Sequence, residues 1–198
     1  MKVIGLTGGT GSGKSAVTAV LKENGAFCVD ADAIAHEVIL RGHPAYDALV
    51  KAFGQEILGE DGEIVRKKLG QMVFTQGQNR IPELNRCTHP AILAEIRSQL
   101  EKARQEGWSY AVLDAPLLLE GPFQDLCDEI WVVYAPKEVR LARIMARDDI
   151  GRDHAEGRMA AQRDWDAFVQ KAPIVIENGS TLEHVRQQVI KQLNKTNG

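Results

Sequence analysis

Gly8-Gly9-Thr10-Gly11-Ser12-Gly13-Lys14-Ser15 is the stretch on which the reading of this chain turns. It matches G-x-x-x-x-G-K-[ST] in full, and its flanks are those the pattern requires. The apolar run Lys2–Leu6 leads into it as a buried strand, and Lys14–Glu23 leads out as a helix with Val17, Val20 and Leu21 on one face. Glycines let successive backbone N–H groups turn inward around phosphate oxygens, and the helix start adds partial positive charge at the same point. In such a loop Gly11, Ser12, Gly13, Lys14, Ser15 and Ala16 wrap the phosphates. The Lys14 ammonium reaches the β- and γ-phosphates, and the Ser15 hydroxyl ligates Mg²⁺. The loop therefore implies a nucleoside-triphosphate site without saying where a phosphate goes.

Outward from the loop, four more apolar runs read as strands: Ala26–Val29, Tyr110–Leu113, Ile130–Tyr134 and Ile174–Ile176. They are continuous rather than alternating, as expected for a parallel sheet covered by helices on both faces. Ile92, Leu93, Ile96, Leu100 and Ala103 repeat at helical spacing, with Pro90 expected in the first turn and Gly107 past the end. Lys137–Arg147 forms a helix behind Pro136, and a last helix near Leu182–Leu193 has Ser180 and Thr181 as capping candidates. The long interval between the second and third strands exceeds an ordinary crossover. It reads as helical, with turns near Gly42–Pro44, Gly59–Gly62 and Gly77–Asn79. The expected class is α/β: a five-stranded parallel sheet flanked by helices, with an inserted helical subdomain and a lid, in one domain over residues 1–198. Its core would occupy about 1–35, 108–147 and 172–198, the insertion about 36–107 and the lid about 148–163.

Phosphoryl transfer to a hydroxyl needs one carboxylate for the metal and another for the acceptor's proton. Asp30-Ala31-Asp32 ends the second strand and Asp114 the third, where open α/β sheets place their ligand crevice. Asp114 closes its apolar run in the manner of a metal-holding carboxylate, so Ser15, Asp30 and Asp114 form the expected metal set. Asp32 precedes a helical pattern, so a helix cap competes with a role as base. Six of the thirteen arginines lie between Lys137 and Arg163. Arg140, Arg143 and Arg147 share a helix face, suited to phosphates or a planar base, while interleaved acids offer ordinary salt bridges instead. The polar segment Asp148–Gln162, with Gly151 and Gly157, reads as a lid that excludes water.

Composition limits the partners. With 24 basic and 27 acidic side chains, the net charge of −3 argues against a nucleic-acid or membrane-surface binder. Cys28, Cys87 and Cys127 are odd in number and form no C-x-x-C pair, which favours a reducing, cytoplasmic setting over disulfides or zinc. Met1–Thr7 runs straight into the glycine turn, so no leader is expected, and Ala111–Leu119 is too short to span a bilayer. His89-Pro90 suits either an acceptor site or a helix start, Asn178-Gly179-Ser180 reads as a turn and helix cap with an adenine contact as the alternative, and Trp108, Trp131 and Trp165 read as packing. Oligomeric state leaves no pattern.

Taken together, these segments resemble the dephospho-coenzyme A kinase family. The carriers are Gly5–Ser15, Val29-Asp30-Ala31-Asp32-Ala33-Ile34-Ala35-His36, Leu84-Asn85 with His89-Pro90, and Asp114-Ala115-Pro116-Leu117-Leu118-Leu119-Glu120. Arg143, Arg147, Asp148, Arg158 and Gln162 fall where that family's lid helices carry R-x-x-x-R-D and R-x-x-x-Q. The similarity runs from Lys2 to about Val189. It departs at Thr10 and Ala16, over Arg163–Lys171, at Ala172-Pro173 and at the close-set Asn178-Gly179. The resemblance implies a P-loop kinase-like fold that moves the ATP γ-phosphate to the ribose 3′-hydroxyl of dephospho-coenzyme A, with Mg²⁺. It implies Asp32 as base, Lys14, Arg143 and Arg147 as charge stabilisers, and acceptor contacts at Asp32, His89, Asp114 and Leu117. A nucleotide-type kinase on the same scaffold and a nucleotide switch remain alternatives. The chain shows no N-K-x-D, L-S-G-G-Q or D-x-x-G segment in the positions a switch or ATPase module would use.

Overall fold

A sheet in the order β2-β3-β1-β4-β5 carries the molecule. Its strands are β1 (Lys2–Thr7), β2 (Ala26–Asp30), β3 (Tyr110–Asp114), β4 (Glu129–Tyr134) and β5 (Ile174–Glu177). The helices are α1 (Lys14–Glu23), α2 (Ala31–Glu37), α3 (Tyr46–Phe53), α4 (Arg66–Val73), α5 (Ile81–Gln105), α6 (Lys137–Asp148), α7 (Arg152–Ala160), α8 (Trp165–Val169) and α9 (Leu182–Thr196). The computed structural model describes residues 1–74, 79–115, 118–162, 164–170 and 172–196.

β1 pairs in parallel with β3 on one side and β4 on the other, and β4 pairs in parallel with β5. The chain winds outward from β1 to β2 on one side, then crosses to β4 on the other. That reversal opens a crevice at the carboxyl end of β1, where α/β sheets bind their ligands. The glycine loop leaves β1 at this point. The register Leu6↔Asp114 sets Asp114 beside the end of the same strand. Ile4, Leu6, Val17, Val20, Leu21, Val112, Trp131, Val133, Val185 and Val189 form one buried cluster, so apolar burial between α1, α9 and the sheet fixes where the loop begins.

The chain divides into two compact units, Met1–Val29 with Lys102–Gly198, and Asp30–Glu101. Two features of local chemistry differ from expectation, while the cap expected for α9 is found. Pro90 lies inside α5 and not in its first turn. The helix begins at Ile81, whose N–H is accepted by the Asn79 side chain at 3.1 Å. Pro90 has no N–H for the carbonyl four residues back, a cost of about 3 kcal/mol, which the buried face of Ile92, Ile96, Leu100 and Ala103 overrides. Asp30, not Asp32, caps α2, accepting the Ala33 N–H at 3.0 Å. Thr181 caps α9 through the His184 N–H at 3.2 Å. Among the described residues, no helix is long and apolar enough to cross a membrane.

All three cysteines are free thiols. Burial, helped by Asp128, pushes the Cys127 thiol up to about 12. Cys127 should therefore resist a thiolate-directed reagent at pH 8 in the folded protein and react on unfolding, as read by mass spectrometry of labelled peptides. Pro90→Ala restores a helical donor and should raise stability by roughly 1–3 kcal/mol in urea unfolding.

Candidate active site

Two glycines in the loop have no substitute. Gly11 (φ 76°) and Gly13 (φ 82°) are left-handed. A Cβ on Gly11 would stand 2.6 Å from the Arg140 carbonyl oxygen, and one on Gly13 would collide with the Asn178 amide. A loop that turns its N–H groups toward an anion turns its carbonyls outward, into protein, where each needs a donor. Three side chains supply them. Arg140 Nε donates to Thr10 O at 3.0 Å. Arg143 Nη1 donates to Ser12 O at 3.1 Å and Gly11 O at 3.3 Å. Asn178 Nδ2 donates to Ser12 O at 2.9 Å and Gly13 O at 3.1 Å. Gln162 Oε1 accepts the Thr10 N–H at 2.8 Å, tying the chain beyond α7 to the loop. The Ser12 hydroxyl is 1% exposed and is left without a partner, a buried polar group suited to a phosphate oxygen.

Lys14 Nζ lies 3.9 Å from Asp114 Oδ1, and Asp114 Oδ2 accepts the Thr18 hydroxyl at 2.9 Å. Thr18 stands one helical turn after Lys14, so α1 orients both the ammonium and the carboxylate. Among the described residues no cluster of three or more His, Cys, Asp or Glu side chains forms a metal cage. The Ser15 hydroxyl and Asp114 carboxylate are hard oxygen donors and few in number. That donor set fits Mg²⁺, which keeps waters and takes phosphate oxygens as its other ligands.

The arginine face divides its work. Arg140 is 4% exposed and, with Arg143, serves loop carbonyls. Arg147 instead forms a bidentate pair with Asp148, at 2.7 and 2.8 Å, and Arg158 pairs with the same carboxylate. These two arginines hold the Asp148 carboxyl below the usual carboxylate range, Arg147 most strongly. Within α6 and α7, Arg152 is clamped by Glu138 at 2.8 and 3.0 Å and by Glu156 at 3.1 Å.

In the unit Asp30–Glu101, Asp32 is exposed and lines a cavity of about 270 Å³ walled by α2, α4 and α5. With Asp30 spent on the cap, the Asp32 carboxylate faces this space without competing for helix N–H groups. His89 is not in the lining. It is half-buried on α5, and desolvation holds its pKa below the usual histidine value, so it is neutral at pH 7. Leu117 lies outside the described residues, as do Pro116 and Arg163. The sequence reading did not single out Thr18, and it took Asn178 as a turn residue and Gln162 only as a motif position. Each acts on backbone or carboxylate atoms far away in sequence. Only the place of Asn178 at the end of the last strand gave a hint.

A family model described as dephospho-CoA kinase matches residues 2–184. A dephospho-CoA kinase of Carboxydothermus hydrogenoformans is 44% identical over 195 residues, 98% of this chain and 94% of that protein. One of Geobacter metallireducens is 46% identical over 190 residues, 96% of this chain and 94% of that protein. A solved dephospho-CoA kinase from Campylobacter jejuni superposes with a TM-score of 0.70 at 29% identity, over 99% of this chain and 98% of that one.

Asn178→Ala removes both donors to the Ser12 and Gly13 carbonyls. It should weaken nucleoside-triphosphate binding about tenfold and cost about 1–3 kcal/mol of stability, measured by calorimetry and urea unfolding.

Proposed function

The chain belongs to the dephospho-CoA kinase family, and from that premise we propose its reaction and the part each residue takes. A kinase of this family draws its phosphoryl group from ATP; here the acceptor is the ribose 3′-hydroxyl of dephospho-CoA, the final step of coenzyme A biosynthesis. The observation that carries the reading is the loop with its half-buried Lys14–Asp114 pair at 3.9 Å, a cation fixed at a phosphate cradle. The Gly11–Ala16 amides and the Ser12 hydroxyl hold the β- and γ-phosphates, and Lys14 neutralises charge that builds on them as the bond to the γ-phosphorus loosens. The acceptor 3′-oxygen bonds to the γ-phosphorus while the bond to the β–γ bridging oxygen breaks. ADP leaves, and the hydroxyl proton passes to the Asp32 carboxylate. Mg²⁺, held by Ser15 and Asp114, would supply charge neutralisation across the phosphate oxygens. Asp30, first read as part of that metal set, is assigned to the α2 cap because its carboxylate is engaged there.

Arg143 acts through the loop: by filling the Gly11 and Ser12 carbonyls it holds the amides in the phosphate-facing geometry. Arg147 and Arg158 share Asp148, so they stabilise transferred charge only by exchanging that partner for phosphate. The three free thiols suit a cytoplasmic enzyme.

With ATP, Mg²⁺ and dephospho-CoA, the purified protein should form ADP and the 3′-phosphorylated product in equal amounts, read by mass spectrometry. Lys14→Ala and Asp32→Asn should each lower kcat by about 10²–10⁴-fold, and Asp30→Asn far less. Phosphorylation of a nucleoside or nucleoside monophosphate, with dephospho-CoA inert, would overturn the acceptor.

A further inference from the structure

α1 buries Val17, Thr18, Val20 and Leu21, and of these Thr18 alone is polar. Threonine is a poorer helix former than alanine, and a hydroxyl set among aliphatic groups costs free energy unless it is bonded. Inside a helix a threonine ordinarily bonds back to a carbonyl of the preceding turn. Thr18 instead donates to Asp114 Oδ2 at 2.9 Å, 96 positions away on β3. An ionised carboxylate only accepts, so the direction of that bond is fixed.

The backbone of Asp114 is held independently of this bond. The register Leu6↔Asp114 sets its place on β3, and the next amide, Ala115 N–H, donates to Leu6 O at 3.2 Å. What remains to be set is the side-chain torsion, and the Thr18 bond holds one carboxylate oxygen. The other, Oδ1, faces Lys14 Nζ at 3.9 Å. A direct ammonium–carboxylate hydrogen bond would close to about 2.8 Å. Lys14 and Asp114 are thus near enough to attract and too far apart to bond, although both are half-buried, where attraction is stronger than in water.

We propose that Thr18 is a positioning residue for phosphoryl transfer. By holding Asp114 through one oxygen it keeps the carboxylate from closing onto Lys14, so that the cation serves phosphate and the anion serves Mg²⁺. This rests on the reading of Asp114 as a metal-holding carboxylate. Without the hydroxyl, the carboxylate turns toward the ammonium, and one ion pair disables both groups at once. Mg²⁺ and Lys14 then compete for the same carboxylate, so the defect is one that added Mg²⁺ relieves. Hydrogen-bond partners standing behind a ligating group commonly carry about 10–100-fold of metal affinity or activity.

Thr18→Val keeps the volume and Thr18→Ala the helix propensity; both remove the donor, and Thr18→Ser keeps it. Calorimetry reads the binding of a non-hydrolysable ATP analogue as Mg²⁺ is varied. In Thr18→Val and Thr18→Ala the Mg²⁺ concentration at half-effect should rise about tenfold or more, and in Thr18→Ser by less than about threefold. At low Mg²⁺ the kcat of the first two should fall by a similar factor and return toward the unaltered value as Mg²⁺ is raised. Lys14→Ala should show no such rescue. A lowered melting temperature with an unchanged Mg²⁺ requirement overturns the proposal and leaves Thr18 a packing residue. So does a kcat defect that Mg²⁺ does not relieve. Asp114→Asn separates premise from inference. If it leaves the Mg²⁺ requirement unchanged, Asp114 is not the metal carboxylate and the premise itself fails. A raised requirement in Asp114→Asn beside unchanged Thr18 variants removes the inference alone.

Discussion

Outward-facing carbonyls are the constraint on which this structure depends. A cradle of backbone amides for a triphosphate is cheap to encode, because glycines at Gly11 and Gly13 permit the left-handed turns. The reverse side of the same peptides is not. Thr10, Gly11, Ser12 and Gly13 present carbonyl oxygens to the protein, and leaving one buried and unpaired costs about 1–3 kcal/mol. Arg140, Arg143 and Asn178 meet that need. Two of the donors come from the helix after β4 and one from the end of β5. The helix α6 and the far strand are thus held to the loop by the same bonds that shape it.

This arrangement alters what an arginine-rich helix means. On a surface, Arg140, Arg143 and Arg147 would present a stripe of positive charge. Here the first two are turned inward onto peptide oxygens, and Arg147 is held in an ion pair with Asp148. Guanidinium suits the inward role because its charge persists at any accessible pH and its planar fork reaches more than one acceptor.

The unit Asp30–Glu101 is built by different means. There a cavity is walled by side chains of α2, α4 and α5. Its polarity is concentrated at Asp32, His36 and Arg66, with aliphatic walls behind. Asp30 and Asp32 show how finely the roles divide. Two residues apart on one strand–helix junction, one satisfies a helix amide and the other keeps its carboxylate available.

Much of this was legible in the chain itself. The five strands, the loop and α1 were readable because each depends on contiguous residues: apolar runs, glycine spacing and a helical face that follows at once. The expectation of Asp114 beside the loop also held, since a strand register carries it there. Pro90 was misread because a local preference for helix starts lost to burial along the whole of α5. The cap made by Asp30 was not expected, because residue type alone does not say which of two nearby aspartates turns back onto a helix amide. The loop's supports at Asn178 and Gln162 could not be read, since a hydrogen bond between residues more than 150 positions apart leaves no periodicity or spacing. The sequence by itself determined the phosphate cradle and the parallel sheet, whose physics is local. The tertiary structure alone decided which donors hold the cradle and that Thr18 engages Asp114, because both depend on partners that only folding brings together.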